Sequence, residues 1–194
     1  MLIYSIYVVT LTFDGYFGLF MEEYKLVEAS RSGDRHAFGQ LVDLNYKRIY
    51  RLAYQYTINH HDADDICQQT FLNAYRNITK LKKTASFSSW LYTICLNLLR
   101  KRNRQTKQSE ELKSRLCYDH RHCCESSLKT ELHNEVHKVI QRLPERLKVI
   151  TILVLIQGLD QKHVAKIVKC SESTVSRYLD KSKAILAEKL KSFI

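Results

Sequence analysis

The sequence predicts an all-α protein built as two small helical domains joined by a flexible linker. Three observations carry that expectation. Five glycines and one proline in 194 residues leave little turn chemistry for a β-rich design or for long loops. Apolar residues recur at steps of three and four along most of the chain, the period of one buried helical face. Between residues 105 and 128 that period disappears into a polar stretch of mixed charge, which reads as a tether between two periodic segments.

The chain carries a formal net charge of +11 and a pI near 9.4. So basic a protein most often meets a polyanion, because releasing counterions from a phosphate backbone drives association without sequence information. A merely cationic surface is the bland alternative. The cysteines Cys67, Cys95, Cys117, Cys123, Cys124 and Cys170 are irregularly spaced, and Cys67 and Cys95 fall on apolar helical faces, as reduced thiols do. No secretory disulfide framework is apparent.

The first twenty residues, MLIYSIYVVTLTFDGYFGLF, differ from everything after them. They lack the basic segment of a signal peptide. Their apolar run breaks at Asp14 and Gly15, short of the ~20 residues a spanning helix needs. Amphipathic character begins at Met21, so residues 1–20 read as an extension ahead of the true start, with a membrane-surface anchor as the other reading.

Residues 22–33 read as a short helix ending at Gly33 and Asp34. A second helix follows, with Phe38, Leu41, Val42, Ile49, Leu52, Ala53 and Tyr56 on its inner face; its tyrosines read as packing residues. In the third, Asp62 is the expected N-cap, with Asp64 and Asp65 in the first turn, where the helix dipole favours anions. Ala63, Cys67, Thr70, Phe71, Ala74 and Ile78 share its core face. Asp64, Asp65, Gln68 and Gln69 then point outward as a polar ridge, which is either a solvated face or a docking surface. A metal site from His60, His61 and Asp62–Asp65 is the sharper but weaker option, since capping and dipole effects already account for the aspartates.

After Ile78 the chain turns basic at Lys80, Lys82 and Lys83, then runs TASFSSWL. Trp90, Leu91, Ile94, Cys95, Leu98 and Leu99 form the apolar stripe of a fourth helix. Asn97, Arg100, Lys101 and Arg104 step along an adjacent face. Exposed rings at Phe87 and Trp90 beside cations would suit single-stranded nucleic acid, whose bases stack on aromatic faces while cations follow the backbone. Both rings are equally at home in a core.

DADDICQQTF followed by FSSWLYTICLNLLRKRNR resembles region 2 of the extracytoplasmic-function sigma factors, part of the sigma-70 family of bacterial RNA polymerase. The resemblance runs from about Leu26 to Arg104 and rests on several spacings that agree together. It implies that Asp62, Asp64, Asp65, Gln68 and Gln69 bind the clamp of core polymerase. It implies further that a loop spanning Lys82, Lys83, Ser86, Phe87, Ser88 and Trp90 captures a flipped base of the −10 element, and that Asn97, Arg100, Lys101 and Arg104 approach promoter DNA. Gln69 stands where the family has Glu, and Lys101 where it has Asp, which bears on the −10 preference.

Within the linker, Cys117, His120, His122, Cys123 and Cys124 cluster without a recognised zinc spacing. Beyond it, Val136, Val139, Ile140 and Leu143 form one helical stripe. Pro144 then opens another helix at its first position, with Leu147, Ile150, Leu153 and Val154 buried. A helix-turn-helix follows. Asp160 caps a helix with Val164, Ala165 and Val168 inward, Lys169-Cys170-Ser171 turns, and Ser171 caps a second helix packed through Val175, Leu179 and Leu186. Ser173, Thr174, Ser176 and Arg177 sit where a recognition helix meets a major groove, with Lys181 placed for phosphate. The run from Leu143 to Leu186 resembles sigma region 4, the −35 reader. Lys169 replaces the usual turn Gly, His163 the usual Glu, and the basic residue of the recognition helix shifts by one position, about 100° around the axis.

These readings divide the chain into an extension (1–20), region 2 (21–104), a linker (105–128) and region 4 (129–194). They imply a cytoplasmic promoter-specificity subunit without catalysis, metal, cofactor or small-molecule substrate. Its partners would be core RNA polymerase (clamp and flap), promoter DNA and an anti-sigma factor, membrane-bound or free. The rival is a stand-alone dimeric helix-turn-helix regulator, which predicts a stable dimer and a palindromic site.

Overall fold

The structure, a computed structural model, describes residues 22–81, 87–114 and 128–191, with helical side chains described up to residue 106 and again from residue 135. The extension 1–20, the basic loop residues Lys82, Lys83 and Ser86, and the cluster Cys117–Cys124 lie outside the described residues. Among the described residues every regular element is helical.

Helix α1 (22–31) ends at Gly33, whose φ of +98° lies in the left-handed region that glycine enters at no cost. Asp34 then caps α2 (Arg35–Thr57), its carboxylate accepting the N–H groups of His36 and Ala37 at 2.8 and 3.1 Å. Leu41, Ile49, Leu52 and Ala53 on α2 are almost fully buried, as the period requires. Helix α3 (His60–Asn77) begins three residues earlier than expected. Asn59, not Asp62, is its N-cap, and the Asn59 side-chain oxygen accepts the N–H of Asp62 at 3.1 Å. An aspartate and an asparagine cap equally well, so the upstream residue wins by lengthening the helix. Asp64 and Asp65 consequently sit in the second turn, beyond the strongest part of the dipole.

A single 3₁₀ turn (Ile78–Lys80) precedes α4 (Phe87–Ser114). This helix runs ten residues into the expected tether, because QTKQSEELKS contains neither Gly nor Pro and is rich in helix formers. The buried face of α4 is Phe87, Leu91, Tyr92, Cys95, Leu96 and Leu99, while Trp90, Ile94 and Leu98 are only half-buried.

Four further helices follow: α5 (Leu128–Arg142), α6 (Glu145–Thr151), α7 (Gln161–Val168) and α8 (Glu172–Lys189). Pro144 occupies the N-cap of α6 rather than its first position. The end of α6 widens into a π turn over Ile152–Ile156, where the Gln157 N–H reaches the Ile152 carbonyl at 2.9 Å. Asp160 and Ser171 cap α7 and α8 as expected, accepting the N–H groups of His163 at 2.7 Å and Thr174 at 3.2 Å. Inside the helix-turn-helix, Ile167 takes the buried place assigned to Val168.

The two halves are not separate in this form. Helix α4 packs on α7 and α2 on the π turn, so residues from Val27 to Leu179 make one continuous hydrophobic core. Each fully buried Leu or Ile in it contributes about 1.5–3 kcal/mol of transfer free energy. The tether therefore connects halves that are docked on each other.

Candidate nucleic-acid interface

Burial of Ala63, Ile66, Cys67, Thr70, Phe71 and Ala74 fixes the rotation of α3 and turns Asp65, Gln68 and Gln69 to solvent, with Asp64 half-exposed. The ridge is tethered at its N-terminal end. Arg102 of α4 pairs with Asp62 and approaches Asp65 at 3.7 Å. Tyr46 of α2 donates to Asp64 at 3.4 Å. Gln68 and Gln69 remain exposed beside Leu72, the most exposed large apolar residue described. Arg102 carries no sequence signal, because a pair forty residues apart has no local period.

Helix α4 sorts its polar residues by angle. With Leu91, Cys95 and Leu99 facing inward, Trp90, Asn97, Lys101 and Arg104 form the stripe opposite the core. Arg100 is half-buried at the edge of that stripe. The structure thus brings together the four basic and amide residues predicted for DNA. Phe87 departs from the prediction: it is 2% exposed and belongs to the core, its ring centroid 6.0 Å from that of half-buried Trp90. Apolar volume at the start of the buried face outweighs any exposed stacking role. Ser88 is held from α1. Its backbone N–H reaches the Glu23 carboxyl, which Asn45 also hydrogen-bonds and Arg48 faces; burial holds that carboxyl above its ordinary range despite these partners. Glu23 thereby satisfies an amide in the first turn of α4 from a separate helix.

A second flank of α4, Ser89, Leu96, Arg100 and Asn103, faces the C-terminal half. The Ser89 hydroxyl lies 2.5 Å from His163 Nε2. One end further, Glu145 at the start of α6 accepts a hydrogen bond from the Tyr56 hydroxyl at 2.6 Å and from Asn103 Nδ2 at 3.5 Å, and its other oxygen lies 3.7 Å from Arg100 Nε. Lys148 is 7% exposed; its ammonium donates to the Tyr56 carbonyl at 3.0 Å and stands 4.0 Å above the Tyr56 ring. Gln141 donates to the Gln55 carbonyl at 2.9 Å. Sequence reasoning assigned Tyr56 to packing alone and gave Glu145 and Lys148 no role.

On α8, Ser173, Arg177 and Lys181 are exposed, with Thr174 and Ser176 half-buried. The Thr174 hydroxyl is engaged with Ser171 Oγ at 2.8 Å, and the Arg177 guanidinium rests 5.6 Å from the Tyr178 ring centre. Lys162, Lys166 and Lys169 surround the helix-turn-helix junction together with Cys170 and Glu172.

A family model for sigma-70 region 2 matches residues 41–108, the segment that carries both the ridge and the basic stripe. The sigma factor SigW of Bacillus subtilis is 28% identical over 179 residues, covering 86% of this chain and 96% of the relative. SigM of Mycobacterium tuberculosis is 28% identical over 166 residues, covering 86% and 83%. Residues 41–108 thus match region 2 of the sigma-70 family, and over most of its length the chain is similar to extracytoplasmic-function sigma factors.

Two solved structures share the fold of this chain. CnrH, in complex with the cytosolic domain of CnrY, superposes with a TM-score of 0.69 at 23% identity, over 88% of this chain and 98% of its own. RpoE of Bartonella quintana, in complex with the anti-sigma factor NepR, gives 0.65 at 20% identity, over 79% and 96%. Both likenesses span more of the chain than region 2 alone. Among the described residues no helix is long and apolar enough to cross a membrane.

Proposed function

We propose that this chain is a sigma factor that directs promoter-specific initiation by binding core RNA polymerase through the α3 ridge and reading two promoter elements through α4 and α8. The observation that carries the reading is the division of surfaces within region 2. An acidic and amide ridge (Asp62, Asp64, Asp65, Gln68, Gln69) and a basic stripe (Asn97, Arg100, Lys101, Arg104) sit on adjacent helices, each fixed in rotation by its own buried face. One protein partner and one polyanion can then be held at once. The lysines Lys82 and Lys83, with Ser86, Ser88 and Trp90, would line the base-capture loop. Phe87, 2% exposed, belongs to the core rather than to that loop.

Ser173, Thr174, Ser176 and Arg177 would meet the −35 element, and Lys181 a phosphate. Arg177 would carry the largest share of direct readout, because it alone among the four is an exposed fork donor. The protein would act in the cytoplasm, without catalysis of its own, with an anti-sigma factor as a further partner. The stand-alone dimer has no observation in its favour here.

Two variants separate the surfaces. Gln68→Ala should weaken binding to core polymerase about fivefold, the loss of one interfacial hydrogen bond, and leave DNA binding by the isolated chain unchanged. Arg177→Ala should cost about 1–3 kcal/mol of discrimination at one −35 base pair. Equal loss on scrambled DNA would reduce Arg177 to a phosphate contact.

A further inference from the structure

Helix α4 has no acidic residue in its first turn. Its leading N–H groups still need acceptors, because the first turn of a helix holds no internal partners for them. One of those groups, the Ser88 N–H, is accepted by the carboxyl of Glu23, which comes from α1.

Glu23 is itself built into place. Asn45 of α2, 3% exposed, donates to the Leu41 carbonyl at 3.0 Å and also hydrogen-bonds the Glu23 carboxyl. Arg48, about one turn further along α2, faces the same carboxyl. Val27 and Ser30 are buried and fix the rotation of the helix that carries Glu23. Burial nevertheless outweighs these partners and holds the carboxyl above its ordinary range. An apolar side chain would fill the space without that cost, but it would deny the Ser88 N–H this acceptor.

The anchored amide sits at a single functional spot. Ser88 and Trp90 both belong to the residues expected at the base-capture loop, and that loop leads directly into α4. The half-buried Trp90 ring stands 6.0 Å from the core ring of Phe87. Holding the Ser88 N–H therefore sets the direction of the first turn of α4, and with it the place of Trp90. A carboxyl at that end also complements the helix dipole.

We propose that Glu23 is a positioning residue for −10 recognition: by holding the Ser88 N–H from α1, it aims the first turn of α4 and the base-capture loop at the unpaired strand. The proposal rests on the reading of residues 82–90 as that loop. Glu23 acts through Ser88 and Trp90 and makes no contact with DNA of its own.

The test uses the full chain with core polymerase, on the strongest promoter found in fragmented genomic DNA. That promoter is supplied as a duplex and as a template whose −10 strands are mismatched and already open. Glu22→Ala, at an exposed neighbour on α1, is the control. Glu23→Ala should lower initiation on the duplex about tenfold against this control, the scale of one lost hydrogen bond to a charged group, and less than about threefold on the open template. Glu23→Gln keeps the reach and an acceptor oxygen, so it should retain at least about half of the parent's initiation on the duplex. Glu23→Asp keeps the charge but loses the reach, so it should fall with Glu23→Ala. Trp90 is the only tryptophan, and its emission should move to longer wavelength in the Ala and Asp variants but not in the Gln variant.

Initiation by Glu23→Ala that matches the control on the duplex overturns the proposal. An equal loss on both templates also overturns it, because a stability defect lowers both alike. Should Glu23→Ala melt below the assay temperature, Glu23→Asp and Glu23→Gln decide, and equal initiation by these two overturns the proposal. In either case a parent chain that initiates leaves the function standing. A parent chain that initiates on no fragment removes the base-capture reading first, and the role of Glu23 falls with it.

Discussion

At the scale of single residues, the two non-glycine positions with positive φ are Ile58, at 53°, and Lys169, at 55°. Both end a helix in the left-handed conformation that commonly closes a C-terminus and that glycine adopts without strain. Lys169→Gly should therefore raise stability by about 1 kcal/mol, seen as a rise of about 2–4 °C in melting temperature; a fall would mean that the Lys169 side chain supplies more than the backbone loses. Phe87 gives the converse case. Phe87→Ala should cost about 3–5 kcal/mol through cavity formation, whereas Phe87→Leu should keep most of the stability and of the initiation activity. An activity loss in Phe87→Leu at unchanged stability would return the ring to the DNA. The thiols of Cys67 and Cys95 are both pushed up to about 12, by burial first, so at pH 8 neither should react with iodoacetamide in the native protein, and peptide mass mapping reads this directly. Burial of Cys67 and Cys95 was legible in the sequence because it follows from period. The fate of Phe87 was not, because a ring at the first turn of a helix is inside or outside depending on which helices cover that turn.

Elements followed the sequence where a cap marks them, as Asp160 and Ser171 do for α7 and α8. Where two capping residues compete, as Asn59 and Asp62 do, local chemistry leaves the boundary open. The extension of α4 through Ser114 was illegible for a related reason: a polar helix has no apolar stripe to reveal it. The contact between α4 and α7 was beyond reach, since Ser89 and His163 are 74 residues apart, yet it makes a specific prediction. His163 is held below its ordinary value of 6.5, chiefly by burial, with Asp160 opposing the shift and Lys166 and Arg48 adding to it. Ser89 of α4 is the neutral group facing the ring. Undocking exposes the imidazole and lets its pKa rise toward 6.5, so the open form takes up the proton. Closure is fully supported above that value and weakens as the pH falls through and below it. Amide exchange at the start of α4 should accelerate between pH 7 and 5.5 beyond the intrinsic rate change, and His163→Gln should abolish that dependence. A pH-independent ratio in the parent would contradict it.

For the whole molecule, the two groups of helices and the family were legible because region 2 and region 4 each carry several spacings at once. What joined the halves was not legible, because Tyr56, Arg102, Glu145 and Lys148 act across the chain through single contacts with no repeat. The resulting picture is of a basic protein whose two groups of helices dock through α4 and α7, with Asp65, Gln68 and Gln69 of the α3 ridge exposed. The measurement that tests the central claim most directly is reconstituted transcription: the purified chain added to core RNA polymerase on a fragmented genomic template. Promoter-dependent transcripts that begin at discrete sites, vanish without the chain and diminish with Gln68→Ala are the predicted result. No discrete initiation on any fragment, together with no complex between the chain and core polymerase, would contradict it.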